Sequence, residues 1–141
     1  MSAVLIAKSE IGSELKIPFY LSAVSAGFPS PAQDYVEKTL DLNELLISRP
    51  SATYFVRAEG DSMLGAGIHD GDILIVDRSL TAKHGDVVIA SLQGELTVKQ
   101  LALYPSCQLS PRNKRYKPIP IKEESDLELF GVVTNVIHQF R

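Results

Sequence analysis

The sequence predicts a mostly β domain, an antiparallel barrel or sandwich. Short β-branched runs such as Ile73-Leu74-Ile75-Val76 and Val87-Val88-Ile89-Ala90 recur from Ala52 onward. Turns containing glycine separate them. The runs follow one another at about 8 to 12 residues, with no helical periodicity between. A chain of 141 residues can bury one core and carry a short extension, but it has no room for a second full domain.

Residues 1–30 hold brief apolar patches without a sustained period and are expected to form a flexible N-terminal arm, with residues 31–141 as the β-rich domain. The arm ends in Ser25-Ala26-Gly27-Phe28-Pro29-Ser30-Pro31. Its prolines bias the residues before them toward extended backbone. Asp41-Leu42-Asn43-Glu44-Leu45-Leu46 reads as the one helix start. Asp41 is placed to cap the free N–H groups and Glu44 to complete a capping box, while Pro50 stops the helix. Leu42, Leu45 and Leu46 fall on one face of it.

A strand follows over Ala52–Ala58, then the Ile73 and Val87 runs, then Glu95–Leu101. The turns between them are His69-Asp70-Gly71-Asp72, Lys83-His84-Gly85-Asp86 and Gln93-Gly94-Glu95, each with a glycine able to take positive φ. Leu109, Ile119-Pro120-Ile121, Leu127–Phe130 and Val132-Val133 supply the later strand candidates.

A formal charge of −3 argues against broad electrostatic capture of nucleic acid. The basic run Arg112–Lys117 reads as a solvated loop. Cys107 is the single cysteine, so no internal disulfide is expected and a reducing cytoplasm fits. Charged residues interrupt the N-terminus, and no apolar stretch reaches the ~18 residues of a membrane span. His69, His84 and His138 are scattered along the chain, and neither a metal site nor a cofactor is expected.

Ser62 leaves a strand on the turn Gly60-Asp61-Ser62-Met63, where a hydroxyl can be presented as a nucleophile. Lys99 sits between the apolar Val98 and Leu101, and burial there would favour the neutral amine, which can act as a base. Strand parity puts Lys99 on one face with Thr97 and Leu101. By spacing alone, a triad of Ser62, His84 and an aspartate also remains open.

Gly60-Asp61-Ser62-Met63, Asp70-Gly71-Asp72-Ile73-Leu74-Ile75-Val76-Asp77, His84-Gly85-Asp86-Val87-Val88, Thr97-Val98-Lys99 and Phe130-Gly131-Val132-Val133 occur in that order. With Ala26–Pro31 and Pro50–Phe55, they resemble the UmuD/MucA-type branch of the LexA-like self-cleaving Ser–Lys peptidases over roughly Ile17 to Ile137. The resemblance implies a LexA-like, signal-peptidase-like β-rich catalytic domain with a short helix and a flexible arm. It implies Ser62 as nucleophile, Lys99 as general base, Ala26-Gly27 as the bond cut, and the N–H groups of Asp61 and Ser62 as the oxyanion hole.

The same resemblance implies an SOS-response protein stimulated by RecA on single-stranded DNA. Its processed homodimer would join a UmuC-type Y-family DNA polymerase for translesion synthesis. Neither membrane attachment nor sequence-specific DNA binding is expected. A LexA-like repressor would need a helix-turn-helix domain, and the residues before Ala26-Gly27 are too few for one. A signal peptidase would need a membrane anchor. A non-catalytic interaction module, with Ser62 and Lys99 purely structural, is the reading from a different class.

Overall fold

In the computed structural model the described residues are 1–10, 12, 16–20, 36–123 and 127–141. The chain divides into two compact units, one of Met1–Glu10 with Arg49–Arg141 and one of Ile11–Ser48. Strands β1 (Ser2–Lys8), β4 (Thr53–Glu59), β5 (Ile73–Asp77), β6 (Val87–Leu92), β7 (Glu95–Ala102), β8 (Gln108–Ser110), β9 (Ile119–Pro120) and β10 (Glu128–Ile137) belong to the first unit. The smaller unit holds β2 (Lys16–Tyr20), β3 (Val36–Asp41) and helix α1 (Leu42–Leu46).

The larger unit is a closed antiparallel barrel. Its strand order is β1-β4-β5-β10-β6-β7-β8-β9, and a pairing of Ser2 with Thr97 closes β1 onto β7. The expected β class is therefore observed, as a barrel rather than a sandwich. Residues 2–8, grouped with the arm on sequence grounds, pair along β4 from Ser2–Glu59 to Lys8–Tyr54. Their apolar residues lack a clear period because Ala3 is buried while Val4, Leu5 and Ile6 stay exposed.

Two apolar clusters explain why the central strands are hydrophobic on both faces. The first gathers Val56, Ala58, Met63, Leu74, Val76, Ile89 and Val98; the second gathers Val88, Ala90, Leu101, Leu109 and Val132. Successive strand residues point to opposite faces, so the unbroken run Val88-Ile89-Ala90 serves both clusters. The two candidates around Leu127 and Val132 merge into the single strand β10, which pairs with β6 through its first half and β5 through its second. Gly131 permits the crossing: a Cβ there would lie 2.6 Å from Val76 Cγ1.

Gly71, Gly85 and Gly94 all adopt positive φ in the expected turns. In the smaller unit, β2 and β3 form an antiparallel pair that the sequence did not announce. Asp41 caps α1 by accepting from the Asn43 N–H at 2.9 Å, as expected. Leu42 and Leu45 of its apolar face are nevertheless exposed. Among the described residues, no helix is long and apolar enough to cross a membrane.

At the end of β5, Asp77 accepts from the Ser79 N–H at 2.8 Å and the Ser79 hydroxyl at 2.5 Å, with Arg49 3.6 Å away. Burial alone would raise this carboxyl. The Ser79 bonds and the Arg49 charge outweigh it and hold Asp77 below the usual carboxylate range. A depressed carboxyl adds stability above its unfolded pKa and loses it as pH falls through the folded value. Asp77→Asn should therefore cost about 1 kcal/mol at neutral pH, shrinking toward zero in acid. Urea unfolding at pH 7 and below pH 3 checks this.

Candidate active site

Strand β4 delivers the chain to Gly60, whose φ of +96° turns it sharply out of the sheet. The Gly60 N–H is held by Asp70 Oδ1 at 2.8 Å. Two residues beyond Ser62, a short 3-10 turn begins at Leu64. Between them Met63 drops into the first apolar cluster with no exposed surface, and its carbonyl accepts from the N–H groups of Ala66 and Ile68. Ser62 is thus set by the side chain that follows it.

Lys99 reaches the same point from the middle of β7. Its Nζ donates to Ser62 Oγ at 3.0 Å; Ser62 is fully buried and Lys99 only 6% exposed. The mixed face read from strand parity is correct in composition: Thr97, two residues earlier, donates its hydroxyl to the Met1 carbonyl at 2.8 Å. The Val98 N–H donates to the same carbonyl at 2.9 Å. The start of the chain therefore lies extended against β7, and the Met1 amino group donates to Ser62 Oγ at 2.5 Å. Burial, then the hydrogen bond and charge of Lys99, lower this amine from 8.0 to about 5, against the opposing pull of the Asp61 carboxylate. Chemically, a serine hydroxyl bonded to an amine is a pair that can trade a proton, which is what nucleophilic attack by serine requires.

The basic segment read as a solvated loop turns out to brace the serine turn. The Arg112 N–H donates to the Ser62 carbonyl at 2.8 Å, and the Gly65 N–H donates back to the Arg112 carbonyl at 2.7 Å. Asn113 Nδ2 donates to the Asp61 carbonyl at 2.9 Å. The Tyr116 hydroxyl donates to the Asp61 carboxylate, which pushes the phenol above its usual range. Nothing in the run Arg112–Lys117 announces these contacts, because they join residues about fifty positions apart. In a trans peptide the N–H points opposite to the C=O. Binding of the Asp61 carbonyl by Asn113 therefore turns the Ser62 N–H away from this segment.

Ala26 and Gly27 lie outside the described residues. Among the described residues, His84 of the alternative Ser–His–Asp triad is not bonded to Ser62: its Nδ1 accepts from the Leu103 N–H at 2.9 Å and its ring stacks on Tyr104 at 3.8 Å. The histidines are not all scattered, contrary to the sequence reading: His69 and His138 converge on Asp72, their ring centroids 4.8 Å apart. Burial would raise the Asp72 carboxyl, but the His69 N–H and the His138 imidazole hold it lowered.

The family model described as Peptidase S24-like matches residues 18–134. MucA of Salmonella typhimurium is 52% identical over 120 residues, covering 84% of this chain and 82% of that protein. SamA of Salmonella typhimurium is 46% identical over 138 residues, 98% of this chain and 96% of its own. LexA repressor 1 of Xanthomonas oryzae pv. oryzae is 37% identical over 121 residues, 84% of this chain but 59% of the repressor. A match that runs from β2 to within β10, shared with relatives over most of their own length, means that this chain belongs to the Peptidase S24-like family, among its MucA-like members.

Proposed function

We propose that this protein cuts its own Ala26-Gly27 bond with Ser62 as nucleophile and Lys99 as general base. The observation that carries the reading is the 3.0 Å hydrogen bond from Lys99 Nζ to Ser62 Oγ inside a buried site. Ser62 Oγ attacks the Ala26 carbonyl carbon as its proton passes to an uncharged Lys99 amine. The N–H groups of Asp61 and Ser62 stabilise the oxyanion. As the C–N bond breaks, Lys99 returns the proton to the Gly27 nitrogen. Water then attacks the acyl-serine, losing a proton to Lys99; as the ester C–O bond breaks, Lys99 hands that proton to Ser62 Oγ, which frees Ser62 and the Ala26 carboxyl group.

In the described state the Met1 amine and carbonyl occupy the groups that an extended substrate strand would use. Cutting would require that contact to give way, which would keep the reaction slow until an outside partner favours the open state. By resemblance, that partner is a RecA filament on single-stranded DNA. The processed chain, residues 27–141, would act as a homodimer beside a UmuC-type Y-family polymerase in SOS mutagenesis in the cytoplasm.

Incubating the purified protein at alkaline pH tests the reading by mass spectrometry. A fragment starting at Gly27 is expected, forming faster as pH rises because only an uncharged amine accepts a proton. Ala26→Asp should block it without unfolding the barrel. An intact chain at every pH would favour the interaction module instead.

The brace on the serine turn adds a second expectation. A Cβ on Gly65 would sit 2.6 Å from the Arg112 carbonyl oxygen, too close for the backbone pair to survive. Gly65→Ala should slow cutting by ~10- to 100-fold through misplacement of Ser62. Cutting kinetics, with circular dichroism to confirm folding, check it.

A further inference from the structure

We infer that His69, Asp72 and His138 form a binding site for one divalent transition-metal ion of the Zn²⁺ class. The site lies on the turn before β5 and at the end of β10, and it is independent of the proposed peptidase chemistry. Each of the three residues offers one ligand atom, and these atoms lie within 4.8 Å of one another. Tetrahedral zinc with ~2.0–2.1 Å bonds holds its ligand atoms about 3.3 Å apart, so the cluster closes around an ion with movements of about 1 Å.

The geometry divides the work sensibly. The Asp72 side chain is 1% exposed and fixed, its Oδ2 held by the His69 N–H at 2.8 Å. Both imidazoles are partly exposed, His69 52% and His138 40%, and lie against each other with ring centroids 4.8 Å apart. His138 Nδ1 stands 2.5 Å from Asp72 Oδ1, and His69 Nδ1 stands 3.7 Å from Asp72 Oδ2. An ion replaces the direct His138–Asp72 hydrogen bond and widens that pair to about 3.3 Å. The neighbouring depression, lined by Asp70, Gln139, Phe140 and Arg141, leaves one side open to water as a fourth ligand.

Two imidazoles and one carboxylate suit zinc, cobalt, nickel or copper better than magnesium or calcium, which prefer all-oxygen shells. A bound ion would tie the end of β10 to the turn before β5. That turn also holds Gly60 through Asp70, two residues before Ser62.

Equilibrium dialysis of the full chain against Zn²⁺, and the visible spectrum of the Co²⁺ form, test the site. One ion per chain is expected with a dissociation constant tighter than about 0.1 mM. The unfolding midpoint should rise with added Zn²⁺. Nitrogen and oxygen ligation gives the Co²⁺ form no intense thiolate band, which excludes Cys107 as the binder. His69→Ala and His138→Ala should each weaken binding at least about tenfold. The exposed His69 can be removed with little change in the metal-free midpoint, so loss of binding there is not loss of fold. Binding weaker than that limit, or unchanged in the His69→Ala/His138→Ala double variant, overturns the inference.

Discussion

Ser62→Ala and Lys99→Met are each expected to abolish cutting at Ala26-Gly27, by at least about 10⁴-fold, while the barrel still folds. Removing the hydroxyl removes the atom that attacks. Replacing Lys99 by methionine keeps a side chain of similar length opposite Val88 of β6 but removes, among the described residues, the one side-chain amine bonded to Ser62 Oγ. Because the two act as one unit, the double variant should be no slower than either single one. Generation of the Gly27 fragment over days, read against an unchanged unfolding midpoint, measures this. Near-normal cutting by either variant would show that another group attacks or accepts the proton, and the Met1 amine at 2.5 Å is the first to test.

Met63→Ala carries the largest expected loss of stability, about 2–5 kcal/mol. Met63 is fully buried against Val56, Ala58, Ile68 and Leu74, and truncation leaves a cavity that rigid strands on several sides cannot close. Its neighbour Leu64 is 44% exposed, and Leu64→Ala should change stability by no more than about 0.5 kcal/mol. Chemical unfolding of the two variants gives the contrast directly. Met63→Ala should also slow cutting below its melting point, since this side chain anchors the turn that carries Ser62. Equal stability in the two variants would mean that the core does not hold the turn.

Much of the barrel was legible residue by residue. Strands β4, β5, β6 and β7, the three glycine turns and the Asp41 cap each rest on interactions within a few positions, and local preference decides those. The merging of two runs into β10 was not legible, because Gly131 reads as a break unless one knows that Val76 packs over it. Strand β1 was likewise hidden. Its period is blurred because Val4, Leu5 and Ile6, which alternate between its two faces, are all exposed and only Ala3 reaches the core.

For the candidate site, the glycine turn and the apolar strand made Ser62 and Lys99 candidates, and the order of the motifs along the chain joined them only through the family resemblance. Their 3.0 Å contact is a product of folding. So are the brace from Arg112, Asn113 and Tyr116 and the meeting of His69 with His138 on Asp72. Strand preference and turns come from short-range sterics and hydrogen bonding, which neighbouring residues encode. Burial of a lysine on a strand with two covered faces, and contacts between groups far apart in the chain, depend on barrel closure and strand register, and those arise only when the whole sheet has assembled.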